Sequence, residues 1–101
     1  MTIYEFSVSP DHPSLPGHFP GNPIVPGVVL LDEVIKAAET TYGDSGHVTA
    51  VPMAKFLQPL APRQLCRIDF SRQGGGHIRF VCSTQGETIA TGLLYCEPHT
   101  D

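Results

Sequence analysis

Apolar positions fall into two regimes along this chain: helical spacing over one central stretch, and strict alternation on either side of it. From Val28 to Ala38, at about 100° per residue, Val28, Leu30, Leu31, Val34, Ile35, Ala37 and Ala38 share a wide apolar arc. Glu33, Lys36, Glu39 and Thr40 occupy the opposite side. Pro26 suits the first helical turn, where its missing N–H would have had no partner. Gly43 is placed to stop the helix in the left-handed conformation. The pattern predicts one largely buried helix from Pro26 to Tyr42 with a narrow polar seam.

The alternating segments predict strands. Thr2 to Val8 carries Tyr4, Phe6 and Val8 on one face, until Ser9-Pro10-Asp11-His12-Pro13 breaks it. His47 to Leu57 is long and contains Pro52, which requires a bulge or an edge position. Arg63 to Arg72 sets Cys66, Ile68 and Phe70 against Arg67, Asp69 and Ser71. After a turn at Gln73-Gly74-Gly75-Gly76, Ile78, Phe80 and Cys82 alternate with Arg79, Val81 and Ser83. A second turn at Gln85-Gly86-Glu87 leads into Thr88 to Cys96. Short turns imply antiparallel neighbours, so the expectation is an α+β plan in which a curled antiparallel meander of four strands follows and wraps one helix. Residues 1–101 read as a single domain with a frayed tail over 97–101.

Composition narrows the function classes. At 101 residues the core is modest, and oligomerisation would bury more surface. The net charge of −4 argues against a nucleic-acid partner. No apolar run is long enough to span a bilayer, and Met1-Thr2-Ile3-Tyr4-Glu5 is no leader. A cytoplasmic protein is therefore expected. Cys66, Cys82 and Cys96 have no paired ligand spacing and sit in strand-like segments, which points to reduced, buried thiols and no metal site.

The connection into the helix carries the candidate chemistry. Seven of the twelve residues from Pro16 to Gly27 are Pro or Gly, so the loop is stiff and holds one imidazole, His18. Gly17-His18-Phe19-Pro20-Gly21-Asn22-Pro23-Ile24-Val25-Pro26-Gly27-Val28 resembles the signature of the bacterial 3-hydroxyacyl-[acyl-carrier-protein] dehydratases. Lys55-Phe56-Leu57-Gln58-Pro59-Leu60-Ala61-Pro62 resembles their Lys-Phe-x-x-Pro-x-x-Pro segment, and the likeness covers roughly residues 4 to 96. The compact length is most similar to small dehydratase-like proteins of aryl-polyene and related pigment pathways. The resemblance implies the hot-dog fold, a sheet curled round a long central helix. It also implies a catalytic pair, His18 with an acidic residue fourteen positions later, which is Asp32. It further implies a dimer in which His18 of one subunit faces Asp32 of the other.

Elementary chemistry is consistent with those roles. Dehydration of a 3-hydroxyacyl thioester needs a base for the Cα proton, which suits His18. It needs an acid for the departing hydroxyl, which suits a carboxyl kept protonated by burial. The N–H groups of Gly27 and Val28, at a helix start, are candidate oxyanion donors. Phe19 or Gly21 would help hold the His18 ring. On the helical wheel Asp32 falls in the solvated seam, and Glu33 is an equal candidate on pattern alone; only the spacing selects Asp32. His12 and His47 read as surface or strand residues, and His77 as exposed. Arg67 and Arg79, near Arg63 and Arg72, are either a solvated sheet face or a basic rim that steers an acidic acyl carrier protein.

The chain is expected to depart from the larger dehydratases in two ways: it would lack the extra N-terminal helix and strand that they carry before the loop, and Pro62-Arg63-Gln64 stands where they have Pro-Gly-Asp. The expected function is dehydration of a (3R)-3-hydroxyacyl thioester delivered on carrier-protein phosphopantetheine, with no cofactor held by the chain. Partners would be acyl carrier protein and a second hot-dog subunit, as homodimer or heterodimer. The alternatives are a non-catalytic hot-dog subunit and an acyl thioesterase.

Overall fold

Apolar alternation on four successive strands leaves one face of a sheet to be covered, and the central helix covers it. A computed structural model describes residues 2–8, 24–42 and 46–97. The loop with His12, His18, Phe19 and Gly21, the Gly43 stop and the tail beyond Glu97 lie outside the described residues. The elements run β1 (Thr2–Phe6), α1 (Gly27–Tyr42), β2 (His47–Phe56), β3 (Cys66–Gly74), β4 (His77–Thr84) and β5 (Glu87–Glu97). All neighbouring strands are antiparallel, in the order β1-β3-β4-β5-β2. One helix against one curled antiparallel sheet is the hot-dog arrangement.

Three expectations about the strands need correction. The meander covers only β3 to β5: β2 pairs with β5, and β1 pairs with β3. The connection from β2 to β3 therefore crosses from one side of the sheet to the other, through a segment stiffened by Pro59 and Pro62. Arg63 belongs to that crossover, and β3 begins only at Cys66. Glu97 closes β5 and is not part of a frayed tail. The expected irregularity at Pro52 is present, since the β2–β5 register shifts between Val48 and Ala50 and again between Ala50 and Met53.

The buried helix residues are Val29, Leu30, Val34, Ala37 and Ala38. They meet an inner sheet face built from Cys66, Ile68, Phe70, Ile78, Phe80, Cys82, Ala90 and Leu94. Phe70 and Phe80 are directly paired across β3 and β4, and Gly92 lies opposite Phe80 on β5. A β-carbon at Gly92 would run into the Phe80 ring and the Met53 carbonyl. The absence of a side chain there is what lets the ring lie flat inside the curl.

Hydrogen bonds pin both ends of the helix. Val48 N–H donates to the Glu39 carboxylate at 3.1 Å, and the Arg72 guanidinium lies 4.7 Å from the centre of the Tyr42 ring, which meets Phe70 edge-on. Arg72 thus serves the helix end rather than standing beside Arg79. At the other end Val25 N–H donates to Leu60 C=O at 2.7 Å. His77 is half-buried with its ring 5.2 Å from that of Tyr95, not exposed as its position after the glycine turn suggested.

The three cysteines are free and buried. A hydrogen bond with Cys66, reinforced by burial, holds the Cys82 thiol well above its ordinary pKa; burial also raises Cys96. The native protein should react with less than one equivalent of a thiol reagent per chain near pH 8, rising to three in denaturant; rapid labelling of the native protein would contradict this packing. Gly92→Ala should lose about 1–3 kcal/mol or more in urea denaturation, because a backbone carbonyl cannot move aside.

Candidate active site

Helix α1 begins with its donors bare. Pro26 supplies the first helical carbonyl, accepting from Val29 N–H at 3.0 Å and from Leu30 N–H at 3.1 Å. The N–H groups of Gly27 and Val28 have no acceptor among the described residues, as expected of a first helical turn. The aligned peptide dipoles add partial positive charge at the same point.

An apolar cleft of about 360 Å³ opens beside these donors, lined by Ile24, Val25, Gly27, Leu30, Phe56 and Leu57, with Gln58, Pro59 and Leu60 completing the wall. The crossover builds that wall. Leu57 and Gln58 N–H both reach Ile89 C=O, at 2.7 and 3.3 Å, while the Val25–Leu60 bond holds the loop against the helix entry. Phe56, at the end of β2, lies over Gly27: a β-carbon there would sit 3.2–3.3 Å from three ring atoms. Sequence reasoning gave Phe56 no role of its own, although it belongs to the Lys-Phe segment. The ring is itself 51% exposed.

Asp32 stands one turn beyond Val28 on the same flank of the helix. Its side chain is 59% exposed and pairs with Lys36 at 3.0 Å. Hydrogen bonding to Asp32, with the charges of Asp32 and Glu33, holds the exposed Lys36 ammonium above its ordinary pKa. The i,i+4 spacing was a readable signal for this pair. The described residues therefore leave the Asp32 carboxyl open to water. Val28, 75% exposed, and Met53, Phe56 and Leu57 add bare apolar surface.

The arginines divide. Arg63 and Arg67 line one open groove with Glu5 and Asp69, and Arg67 pairs with Asp69 at 3.6 Å. Arg79, paired with Ser71 and Leu93, lies farther along the outer face with Gln73 and His77. No continuous basic rim joins the three. His47, exposed on β2, lies 4.0 Å from Glu39.

Comparison with known proteins adds the chemistry of relatives. The profile of the ApeI-like family, described as ApeI dehydratase, matches residues 1–93. The 3-hydroxyacyl-[acyl-carrier-protein] dehydratase FabZ of Yersinia enterocolitica is 28% identical over 103 aligned positions, covering 89% of this chain and 61% of that protein. The chain thus spans about three-fifths of the length of this curated relative. Among solved structures, an uncharacterized protein from Erwinia carotovora subsp. atroseptica superposes with a TM-score of 0.81 at 27% identity, over 98% of this chain and 84% of the other. The dehydratase heterocomplex ApeI:P from Xenorhabdus doucetiae gives 0.75 at 26% identity, over 94% and 86%. No helix among the described residues is long and apolar enough to cross a membrane.

Because the half-exposed Phe56 ring can swing away, Gly27→Ala should fold with a stability change within about 0.5 kcal/mol of the parent. A loss in urea denaturation as large as that of Gly92→Ala would mean that the ring is fixed.

Proposed function

The chain belongs to the ApeI-like dehydratase family, and from that premise we propose that it dehydrates a (3R)-3-hydroxyacyl thioester carried on acyl carrier protein to the trans-2-enoyl thioester. The observation that carries this reading is the bare helix N-terminus at Gly27 and Val28, opening on an apolar cleft with Asp32 one turn away. Donors placed where a thioester oxygen gains charge are the costliest part of such a site to assemble.

In this mechanism neutral His18 takes the Cα proton, and the electron pair moves into the new carbon–carbon double bond. The C3–O bond breaks, and the hydroxyl leaves as water with the proton of the Asp32 carboxyl. Gly27 and Val28 N–H stabilise the negative charge on the thioester oxygen, and Phe19 or Gly21 holds the imidazole. His18 ends protonated and Asp32 ionised, so transfer between them or through water resets the pair. The side chains named suffice for these steps; phosphopantetheine arrives with the substrate, and no metal or redox group takes part. A cytoplasmic setting follows from the carrier.

A second hot-dog subunit completes the site in this reading. Covering the flank with Val28, Leu31 and Ile35 would remove Asp32 from water and push its carboxyl toward the protonated form. The same contact would bring the partner's loop over the helix. Either a second copy or a different hot-dog chain fits; the Xenorhabdus relative is a heterocomplex. The exposure of Asp32 and its pairing with Lys36 favour one rival, a subunit that is itself non-catalytic and shapes the site of its partner.

Purified protein given a 3-hydroxyacyl-carrier substrate separates these readings, with enoyl product expected. His18→Ala and Asp32→Asn should each lower kcat by roughly 10²–10⁴-fold. Undiminished turnover in His18→Ala would remove the base assignment, and no turnover by the wild-type chain alone would favour the non-catalytic role.

A further inference from the structure

Arg63 occupies a backbone position made for glycine. Ala61-Pro62-Arg63-Gln64 closes as a turn in which Gln64 N–H donates to Ala61 C=O at 3.2 Å and Ala61 N–H donates to the Gln64 side-chain oxygen at 2.8 Å. Pro62 takes the second position, and Arg63 the third with φ +72°. That is the type II geometry, whose third residue favours glycine because a β-carbon is crowded there. The Arg63 N–H holds the end of the first strand segment through Val8 C=O at 2.9 Å, a bond glycine would make equally well. Its side chain is exposed and makes no ion pair among the described residues. The guanidinium therefore gives the fold nothing in return for the strain, and strain retained in this way marks a function.

A second observation points to the same place. The one other described non-glycine residue with positive φ, Gln85 at +52°, lines the same open groove of about 720 Å³. Arg67 in that groove is matched by Asp69 and lies opposite Glu5 across β1 and β3, leaving Arg63 as the groove cation with no ion pair among the described residues. One guanidinium with an amide and the Ser83 hydroxyl nearby suits a single phosphate, which arginine can grip with two parallel bonds; the Thr84 hydroxyl is already committed to Leu65 C=O at 2.8 Å. It does not suit a broad acidic surface, which the net charge of −4 would repel. Arg63 follows Leu60 by three residues, and Leu60 holds Val25, two residues before Gly27. That path spans no more than about 25 Å, within reach of an extended pantetheine arm.

We infer that Arg63, flanked by Gln85, binds the phosphate of a pantetheine-type thioester and so presents the acyl group at Gly27. The source of the thioester rests on the dehydratase reading; carrier protein and coenzyme A both carry this phosphate. Isothermal titration of the purified protein with phosphopantetheine and with pantetheine tests the contact without turnover. The wild type should prefer the phosphorylated ligand by roughly tenfold, and Arg63→Gly and Arg63→Ala should lose the preference. Arg63→Gly should also melt about 4–8 °C higher as the strain is relieved, which separates lost binding from lost folding. Absence of phosphopantetheine binding by the wild type, equal affinity for both ligands, or a preference that survives in Arg63→Gly would each overturn the assignment.

With turnover as the readout, Arg63→Gly should raise KM for carrier-protein and coenzyme A thioesters and leave the pantetheine thioester unchanged. A rise confined to the carrier protein would assign Arg63 to a protein surface, and an equal rise for all three would make it a loop-positioning residue; both overturn the phosphate contact. Failure of the dehydratase reading shows differently, as no turnover of any thioester alongside an intact binding preference.

Discussion

One helix has to be covered by one sheet, and this constraint organises everything else in the molecule. No second helix among the described residues competes for the inner face, so the strands curl until Phe70 and Phe80 close on Val34, Ala37 and Ala38. Each fully buried aliphatic or aromatic side chain contributes about 1.5–3 kcal/mol, and the small alanines let the second half of the helix approach closely. The curl is tight enough that β5 carries no side chain at Gly92, beneath the Phe80 ring. Wrapping can only go so far: a sheet with β2 at its edge leaves one flank of the helix bare, and Val28 and Asp32 stand on that flank. The same geometry that makes the core leaves the candidate site half built.

The helix is also held in depth, which gives its N-terminus chemical meaning. Bonds from Val25 to Leu60 and from Val48 to Glu39 fix the two ends against the crossover and the edge strand. Because the crossover belongs at once to the cleft wall and to the Arg63 turn, the Gly27 donors and the groove cation are parts of one rigid connection. Hydrogen bonds from Leu57 and Gln58 to one carbonyl, that of Ile89, stiffen the same connection at its start. Precise placement of donors relative to a substrate anchor is what an oxyanion site requires.

Much of this was legible in the sequence, and the failures have physical causes. Period-two alternation reports which face a residue points to but not which strand lies beside it, so β1 beside β3 and β2 beside β5 were invisible. The end of the crossover, Arg63 to Leu65, was read as strand because its turn lacks the glycine that would announce it; Arg63 hid the signal by occupying the glycine position. His77 was taken as exposed from its place after Gly76, yet its ring packs on Tyr95 across the ladder, a contact set by register. The helix start at Gly27 and Val28 was legible because Pro26 and the apolar run after it carry a clear local signal. Phe56 was missed as a neighbour of Gly27 because the two are far apart in sequence. Asp32 is the instructive case: the wheel placed it in the solvated seam, where it is found, while the count from His18 made it catalytic.

Both statements about Asp32 hold together only if the flank is covered by another subunit, and Lys36 then decides the outcome. Burying an ion pair costs more than its Coulomb attraction returns unless every remaining donor and acceptor is satisfied. Lys36 is long, exposed and one turn farther along the helix, so it can turn its ammonium back to water while its stem lies along a covering subunit. Asp32, short and nearer the cleft, has no such escape. In the proposed assembly, an Asp32 separated from its cation and desolvated would favour its neutral form, and the salt bridge of the single chain would give way to the acid that the proposed dehydration needs. Had the lysine stood at the cleft and the carboxylate a turn farther out, assembly would have exposed the acid and buried the cation. Under the proposed dehydratase reading, the order of Asp32 and Lys36 along the helix would make protonation of the acid a consequence of assembly.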